Sequence, residues 1–118
     1  MEKNEILFSV QKIQPGKTAE VREWFADWQA NETDLFDALA AEGIDVESVF
    51  IESRDDGDYL CYYIAAEDVT EMLETFEASD EYDEFKDFID RCLVGGLDAY
   101  HEHRPELIFH TEVPADSA

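Results

Sequence analysis

Residues 44–66 read IDVESVFIESRDDGDYLCYYIAA, and this stretch decides the fold. Two runs rich in β-branched and aromatic side chains, 44–53 and 59–66, flank Arg54-Asp55-Asp56-Gly57-Asp58. Asp-Gly between two such runs is a strong hairpin signal, because glycine takes the positive φ that a turn matched to strand twist requires. Side chains alternate along each run. Val46, Ser48 and Phe50 oppose Glu47, Val49 and Ile51, and Leu60, Tyr62 and Ile64 oppose Cys61, Tyr63 and Ala65. Both faces of the hairpin are substantially apolar, so both need cover.

Toward the N-terminus, Ile6, Phe8 and Val10 alternate with Glu5, Leu7, Ser9 and Gln11, which predicts a strand running to about Ile13 before a turn at Pro15-Gly16. From Lys17, Val21, Trp24, Phe25, Trp28, Leu35 and Leu39 share one helical face. Gly43 stops this helix, and the weak helix formers Asn31, Thr33 and Asp34 mark a break within it. Beyond the hairpin, Val69, Met72, Leu73 and Phe76 show helical spacing. Ser79 reads as the N-cap of a further helix carrying Tyr82, Phe85, Phe88, Ile89, Cys92 and Leu93, which Gly95-Gly96 ends. After an irregular stretch with His101 and Arg104-Pro105, residues 107–113 read as a last strand and 114–118 as a frayed tail. The order β-α-β-β-α-β predicts one α+β domain over 1–113, ferredoxin-like, with an antiparallel sheet and its helices on one face. The opposite face needs cover, which the expected C2 homodimer supplies by pairing sheet to sheet; the alternative is a monomer that covers it with its tail and the 95–106 loop.

The composition narrows the function classes. With 118 residues there is room for one core. A 45% hydrophobic and 13% aromatic content is too apolar for an acidic disordered tail. The net charge of −23 repels nucleic-acid phosphate and anionic lipid, so neither is an expected partner. The acids are spread from Glu2 to Asp116, which suits adaptation to molar salt, where the Debye length falls to ~3 Å, better than mimicry of nucleic acid. No apolar run approaches the ~18 residues of a membrane span, and MEKNEILFSV lacks a leader pattern, so the expected location is cytoplasmic. Cys61 and Cys92, without a CxxC spacing, read as reduced core thiols.

The segments Glu42-Gly43-Ile44-Asp45-Val46-Glu47-Ser48-Val49-Phe50-Ile51, Gly57 to Ile64 and Ala66-Glu67-Asp68 resemble the dimeric α/β-barrel superfamily. Nearly the whole chain, including Pro15-Gly16-Lys17 and Trp24, is similar to an uncharacterised small domain family of halophilic archaea, which implies a fold but no activity. More remotely, residues 43–93 resemble the rhamnose mutarotases, which implies sugar anomerisation by proton transfer. The mutarotases' acid–base Tyr and His on the first helix have no counterpart here, since Val21 to Gln29 offers Arg22, Glu23, Trp24 and Trp28. Their tandem Trp on the later helix is also missing from Glu84 to Ile89. Likeness at this level transfers scaffold rather than function.

Among the residues themselves, His110 on the last strand would face a barrel interior near Tyr62 or Glu47, making these three the catalytic candidates. Glu47, flanked by Val46 and Val49, becomes a general base if burial raises its pKa. Trp24 and Trp28, one helical turn apart, either pack in the core or line a pocket between helix and sheet, with Tyr62 and His110. Arg22, like Arg91, is a scarce cation able to clamp an anionic ligand, with a salt bridge to a neighbouring acid as the alternative. His101-Glu102-His103 with Cys92 or Glu106 matches no zinc spacing, so no metal is expected. There is no phosphate-binding glycine loop or nucleophile elbow, and no cofactor is expected. Three classes follow: a small-molecule binding protein using a cavity between sheet and helices, a cofactor-free enzyme of the mutarotase, isomerase or small monooxygenase kind, and a protein-interaction module.

Overall fold

In the computed structural model, which describes residues 4–114, the hairpin forms as β2 (Ile44–Arg54) and β3 (Gly57–Ala66). Pairing continues to Arg54 opposite Gly57, so the loop shrinks to Asp55-Asp56, and Gly57 carries the positive φ of 138°. β1 (Glu5–Lys12) pairs antiparallel with the other edge of β3, giving a three-stranded sheet in the order β1-β3-β2. The chain crosses from β1 to β2 through α1 (Thr18–Ala30) and α2 (Glu32–Ala41), and leaves β3 through α3 (Val69–Ala78) and α4 (Asp83–Cys92). Short 3₁₀ turns follow α3 at Asp80–Tyr82 and α4 at Gly96–Ala99.

Local chemistry explains these boundaries. At Asn31 the backbone leaves helical geometry (φ −115°, ψ 33°), and the Asn31 side chain donates to the Asp27 carbonyl at 2.9 Å, splitting the predicted long helix into α1 and α2. Gly43, at φ 76°, sits just past the end of α2 in the left-handed conformation that closes helices. The Asp68 carboxylate accepts the Glu71 amide at 2.9 Å and caps α3. Ser79 does act as a cap, but of the 3₁₀ turn, accepting from the Glu81 amide at 3.1 Å.

The helices lie on one face of the sheet and build two core clusters. The larger gathers Ile13, Val21, Leu60, Tyr62 and Leu93 with Phe85, Phe88, Ile89 and Cys92 from the buried stripe of α4. Complete burial of a side chain such as Phe88 stabilises the fold by ~2–3 kcal/mol. The smaller joins Leu7, Ile44, Ile64, Ala66 and Met72 at the other end of the sheet. Gln11, buried among these apolar neighbours, donates its amide N–H groups to the carbonyls of Val94 and Gly96 at 3.0 and 2.9 Å, pinning the loop after α4, while its Oε1 has no partner among the described residues. Cys61 and Cys92 are both free thiols in buried positions.

The opposite face carries Phe8, Val10, Val46, Phe50, Cys61 and Tyr63, with no helix over it; Phe50 is 54% and Val46 47% exposed. The predicted last strand is a correction. Residues 107–113 take up no regular secondary structure and join no ladder, so the described sheet has three strands rather than four. This segment is tethered near its ends, by the Val10 amide donating to His103 O at 3.1 Å and by Glu112 accepting from Asn4 N at 3.0 Å. Between those tethers Ile108 and Phe109 are 87% and 77% exposed. An edge ladder gains little when its apolar side chains meet no surface of the same chain, and Pro105 removes one donor besides. The frayed tail expected over 114–118 lies outside the described residues except for Pro114. Among the described residues no helix is long and apolar enough to cross a membrane.

Candidate functional site

A bulge at the start of β2 creates the floor of a cavity. Ile44 pairs with Ala66 and Val46 with Ala65, so Asp45 is an extra residue and the alternation slips by one. Ile44 and Glu47 thereby point to the same, helix-covered side of the sheet, Glu47 standing opposite Ile64. Above them the two core clusters do not meet. The gap is a cavity of about 370 Å³, within the range of small-molecule sites. Ile44, Glu47 and Ile64 form its floor, and α1 contributes Trp24 and Trp28. Leu35, Leu39 and Glu42 line it from α2, Met72, Leu73 and Phe76 from α3, and Tyr82 and Phe85 close the far side. Tyr100 and His101, after the last 3₁₀ turn, complete the wall.

The aromatic side chains hold one another in place. Trp24 stacks on Phe88 with ring centroids 4.5 Å apart, Trp28 meets Phe85 at 4.8 Å, and Phe76 bridges Tyr82 at 5.4 Å and Tyr100 at 5.6 Å. Trp24 Nε1 is buried with no acceptor among the described residues. His101 is fixed from both sides. Its ring lies 3.8 Å from that of Tyr100, and its Nδ1 is 2.6 Å from the buried Ser9 hydroxyl. The backbone there has a left-handed φ of 59°, uncommon outside glycine, and the His101 carbonyl accepts Arg104 Nε at 2.6 Å.

Electrostatics sharpen the site. Burial pushes the Glu47 carboxyl up to about 7, and Glu47 has no ion-pair or hydrogen-bond partner among the described residues. Glu42, at the end of α2, is also raised to about 7, first by burial and then by repulsion from Glu47, with the Tyr82 hydroxyl opposing the rise. Burial, aided by the Arg104 charge, drives His101 down to about 3, so its imidazole is neutral at physiological pH. The cavity thus holds two carboxyl groups poised to exchange protons near neutrality beside a neutral histidine.

Of the predicted site residues, the structure brings Trp24, Trp28 and Glu47 together around this cavity. Tyr62 lies just beneath, 1% exposed, its ring edge-on to Tyr100 at 5.4 Å and its hydroxyl without a partner among the described residues. Burial pushes its pKa far up, which suits it to support rather than proton transfer. Arg22 is exposed on α1 and does not line the cavity. Arg91 adopts the salt-bridge alternative with Glu20 at 2.5 Å. His110 is not brought to Tyr62 or Glu47. Its Nε2 lies 3.0 Å from Glu112 within the irregular 107–113 segment, because the strand that would carry it inward does not form. His101 and His103 part company, one buried and one exposed, and among the described residues no group of three His, Cys, Asp or Glu side chains converges as a metal site. Glu42, Phe76, Tyr82 and Tyr100 join the site without any spacing that singles them out. The one hint is at Glu42, an acid immediately before the helix-ending Gly43, where the chain turns back into the sheet.

A family model described as a family of unknown function (DUF6176) matches residues 5–116, nearly the whole chain. No curated protein and no solved structure matches the chain.

Proposed function

We propose, for a chain that belongs to the family of unknown function DUF6176, that it binds a small molecule in the cavity between the sheet and its helices. The observation that carries this reading is the cavity itself. Between two well-formed clusters a cleft of about 370 Å³ stays open, within the size range of small-molecule sites, ringed by aromatic side chains and floored by a carboxyl with no partner among the described residues. Trp24, Trp28 and Glu47 contact the ligand, and Tyr62 positions Tyr100 and His101 from below.

A second reading, cofactor-free proton-transfer catalysis, is favoured by one specific feature. Glu47 and Glu42 both titrate near 7, where a general acid or base works best. In that reading Glu47 moves the proton and Glu42 holds the second site of exchange. The protein-interaction reading draws on the bare outer face, and we assign that surface to a second copy of the chain. A C2 dimer pairing the two sheets covers Phe8, Val46 and Phe50, gives Leu107, Ile108 and Phe109 an apolar partner surface, and yields a dimeric α/β barrel of ferredoxin-like halves. The charge of −23 fits a cytoplasmic protein working in molar salt.

The test is a thermal-shift panel in molar KCl of hexoses, small phenolics, amines and carboxylates. A ligand stabilises by RT ln(1 + [L]/Kd), so even weak binders register at high concentration. At least one class should raise Tm in the native chain and fail to do so in Ala38→Phe, which fills the cavity from α2. A panel that leaves Tm unmoved removes the binding reading.

A further inference from the structure

We infer that the cavity's ligand is an organic cation with an apolar body, an amine or quaternary ammonium seated among the aromatic rings with its charge on Glu47 and Glu42. This rests on the small-molecule reading and names the ligand class. Three observations support it. First, the sign of the charge is uniform. Every ionisable side chain around the cavity other than tyrosine and the neutral His101 is a carboxyl: Glu47 and Glu42 inside, Asp27, Glu81 and Glu84 farther along the lining. Among the described residues no Lys or Arg lines it. Two cations on neighbouring elements are engaged elsewhere, Lys86 donating to the carbonyls of Glu77 and Ser79 and Arg104 to that of His101.

Second, the apolar lining is dominated by ring faces. Trp24, Trp28, Phe76, Tyr82, Phe85 and Tyr100 surround the space, and aromatic faces, tryptophan above all, attract cations through their quadrupole. The fold already uses this attraction on the outer side of one of these rings, where Lys86 Nζ sits 5.3 Å from the centre of Phe76. Third, the floor is unbalanced. Glu47 raises the pKa of Glu42 by repulsion and neither has a counter-charge among the described residues. An anionic ligand would add to that repulsion. A neutral polyol would leave it unrelieved. A monocation between the two carboxyls relieves it, and burial away from water strengthens the attraction.

Because cation binding needs the carboxylate form, affinity should follow ionisation of the pair. The ionisable groups that line the cavity with Glu47 are Asp27 from α1, Glu42 at the end of α2, Glu81 and Tyr82 from the 3₁₀ turn, Glu84 from α4, and Tyr100 and His101 from the loop; burial raises both tyrosines and lowers His101, while Glu42 is raised to about 7 alongside Glu47. For a group at about 7, the ionised fraction rises about thirtyfold between pH 5.5 and 8.

The experiment titrates the full chain with benzyltrimethylammonium, whose charge is fixed at all pH values, and with benzyl alcohol, phenylacetate and rhamnose. Tryptophan fluorescence and calorimetry provide the readouts. Expected are saturable binding of the ammonium probe alone, an affinity rising at least tenfold from pH 5.5 to 8, and proton release on binding near pH 7. Glu47→Gln should lose at least tenfold in affinity and flatten the pH profile, while Glu23→Gln, on the exposed side of α1, keeps both. The wild-type pH series stands independently if Glu47→Gln folds poorly. Failure of the ammonium probe to bind at pH 8, or a pH-independent affinity, overturns the inference. Tight binding of benzyl alcohol or rhamnose without the ammonium probe overturns it while leaving the small-molecule reading intact.

Discussion

Replacing Glu47 with glutamine should stabilise this protein, and by an amount that depends on pH. In the folded chain the carboxyl titrates at about 7, whereas in an unfolded chain a glutamate titrates at about 4.3. Below the unfolded value both states are protonated and Glu47 carries no penalty. Between the two values the folded state holds a proton that the unfolded state has released, so stability falls as pH rises. Once the folded carboxyl also ionises, above about 7, the full cost of about 4 kcal/mol is reached. Glutamine never ionises and escapes this loss. Urea or thermal melts of both proteins at matched KCl should therefore differ by only about 0.5 kcal/mol at pH 4.5 and diverge to about 4 kcal/mol at pH 8, which is on the order of 10 °C in Tm for a domain of this size. Glu42 adds to the same trend, because removing the Glu47 charge relieves its neighbour, and the two carboxyls titrate as a pair. The general self-repulsion of an acidic chain cancels in the difference between variants. A Glu47→Gln protein that is equally or less stable than wild type at pH 8, or whose gain is the same at pH 4.5, would refute the buried, unpaired carboxyl.

Other outcomes follow from the same structure. Phe50→Lys places a charge on the bare face, on the edge strand β2, and should convert the proposed dimer into a 13.6 kDa monomer by light scattering. Gly95→Ala forces a residue at φ 85° to carry a Cβ 2.7 Å from that of Ala99, and should cost about 1–3 kcal/mol in urea melts, against about 1 kcal/mol at Gly16, where φ is 83° but the space is open. Lowering KCl from molar to ~0.1 M should unscreen the carboxylates and lower Tm by circular dichroism; a melt indifferent to KCl would contradict salt adaptation.

The parts of the fold legible in the sequence are those where a residue's fate is decided by its neighbours in the chain. The hairpin alternation, the Trp24-Phe25-Trp28 face of α1, the break at Asn31 and the stop at Gly43 all follow from local sterics and hydrogen bonding. Residues 107–113 show the limit. Their apolar content satisfies a strand pattern, but a ladder also needs a surface for Ile108 and Phe109, and the chain alone does not provide one. The cavity shows a different limit. Glu47 was legible as an acid between apolar residues, yet its pairing with Ile44 on one face depends on a bulge at Asp45 that alternation does not reveal. Glu42 and Tyr100 reach the site through the packing of α2 and the loop after α4, contacts between segments far apart in sequence.

The chain's two tryptophans, Trp24 and Trp28, both line the cavity, so intrinsic fluorescence reports on that space alone. The most direct measurement is to follow tryptophan emission through a titration with whichever compound raises Tm. A saturable change in emission at the concentrations that stabilise the native chain, abolished in Ala38→Phe, is the expected result. Stabilisation with no change in tryptophan emission, or an unchanged titration in the filled-cavity variant, would place binding elsewhere and contradict the account.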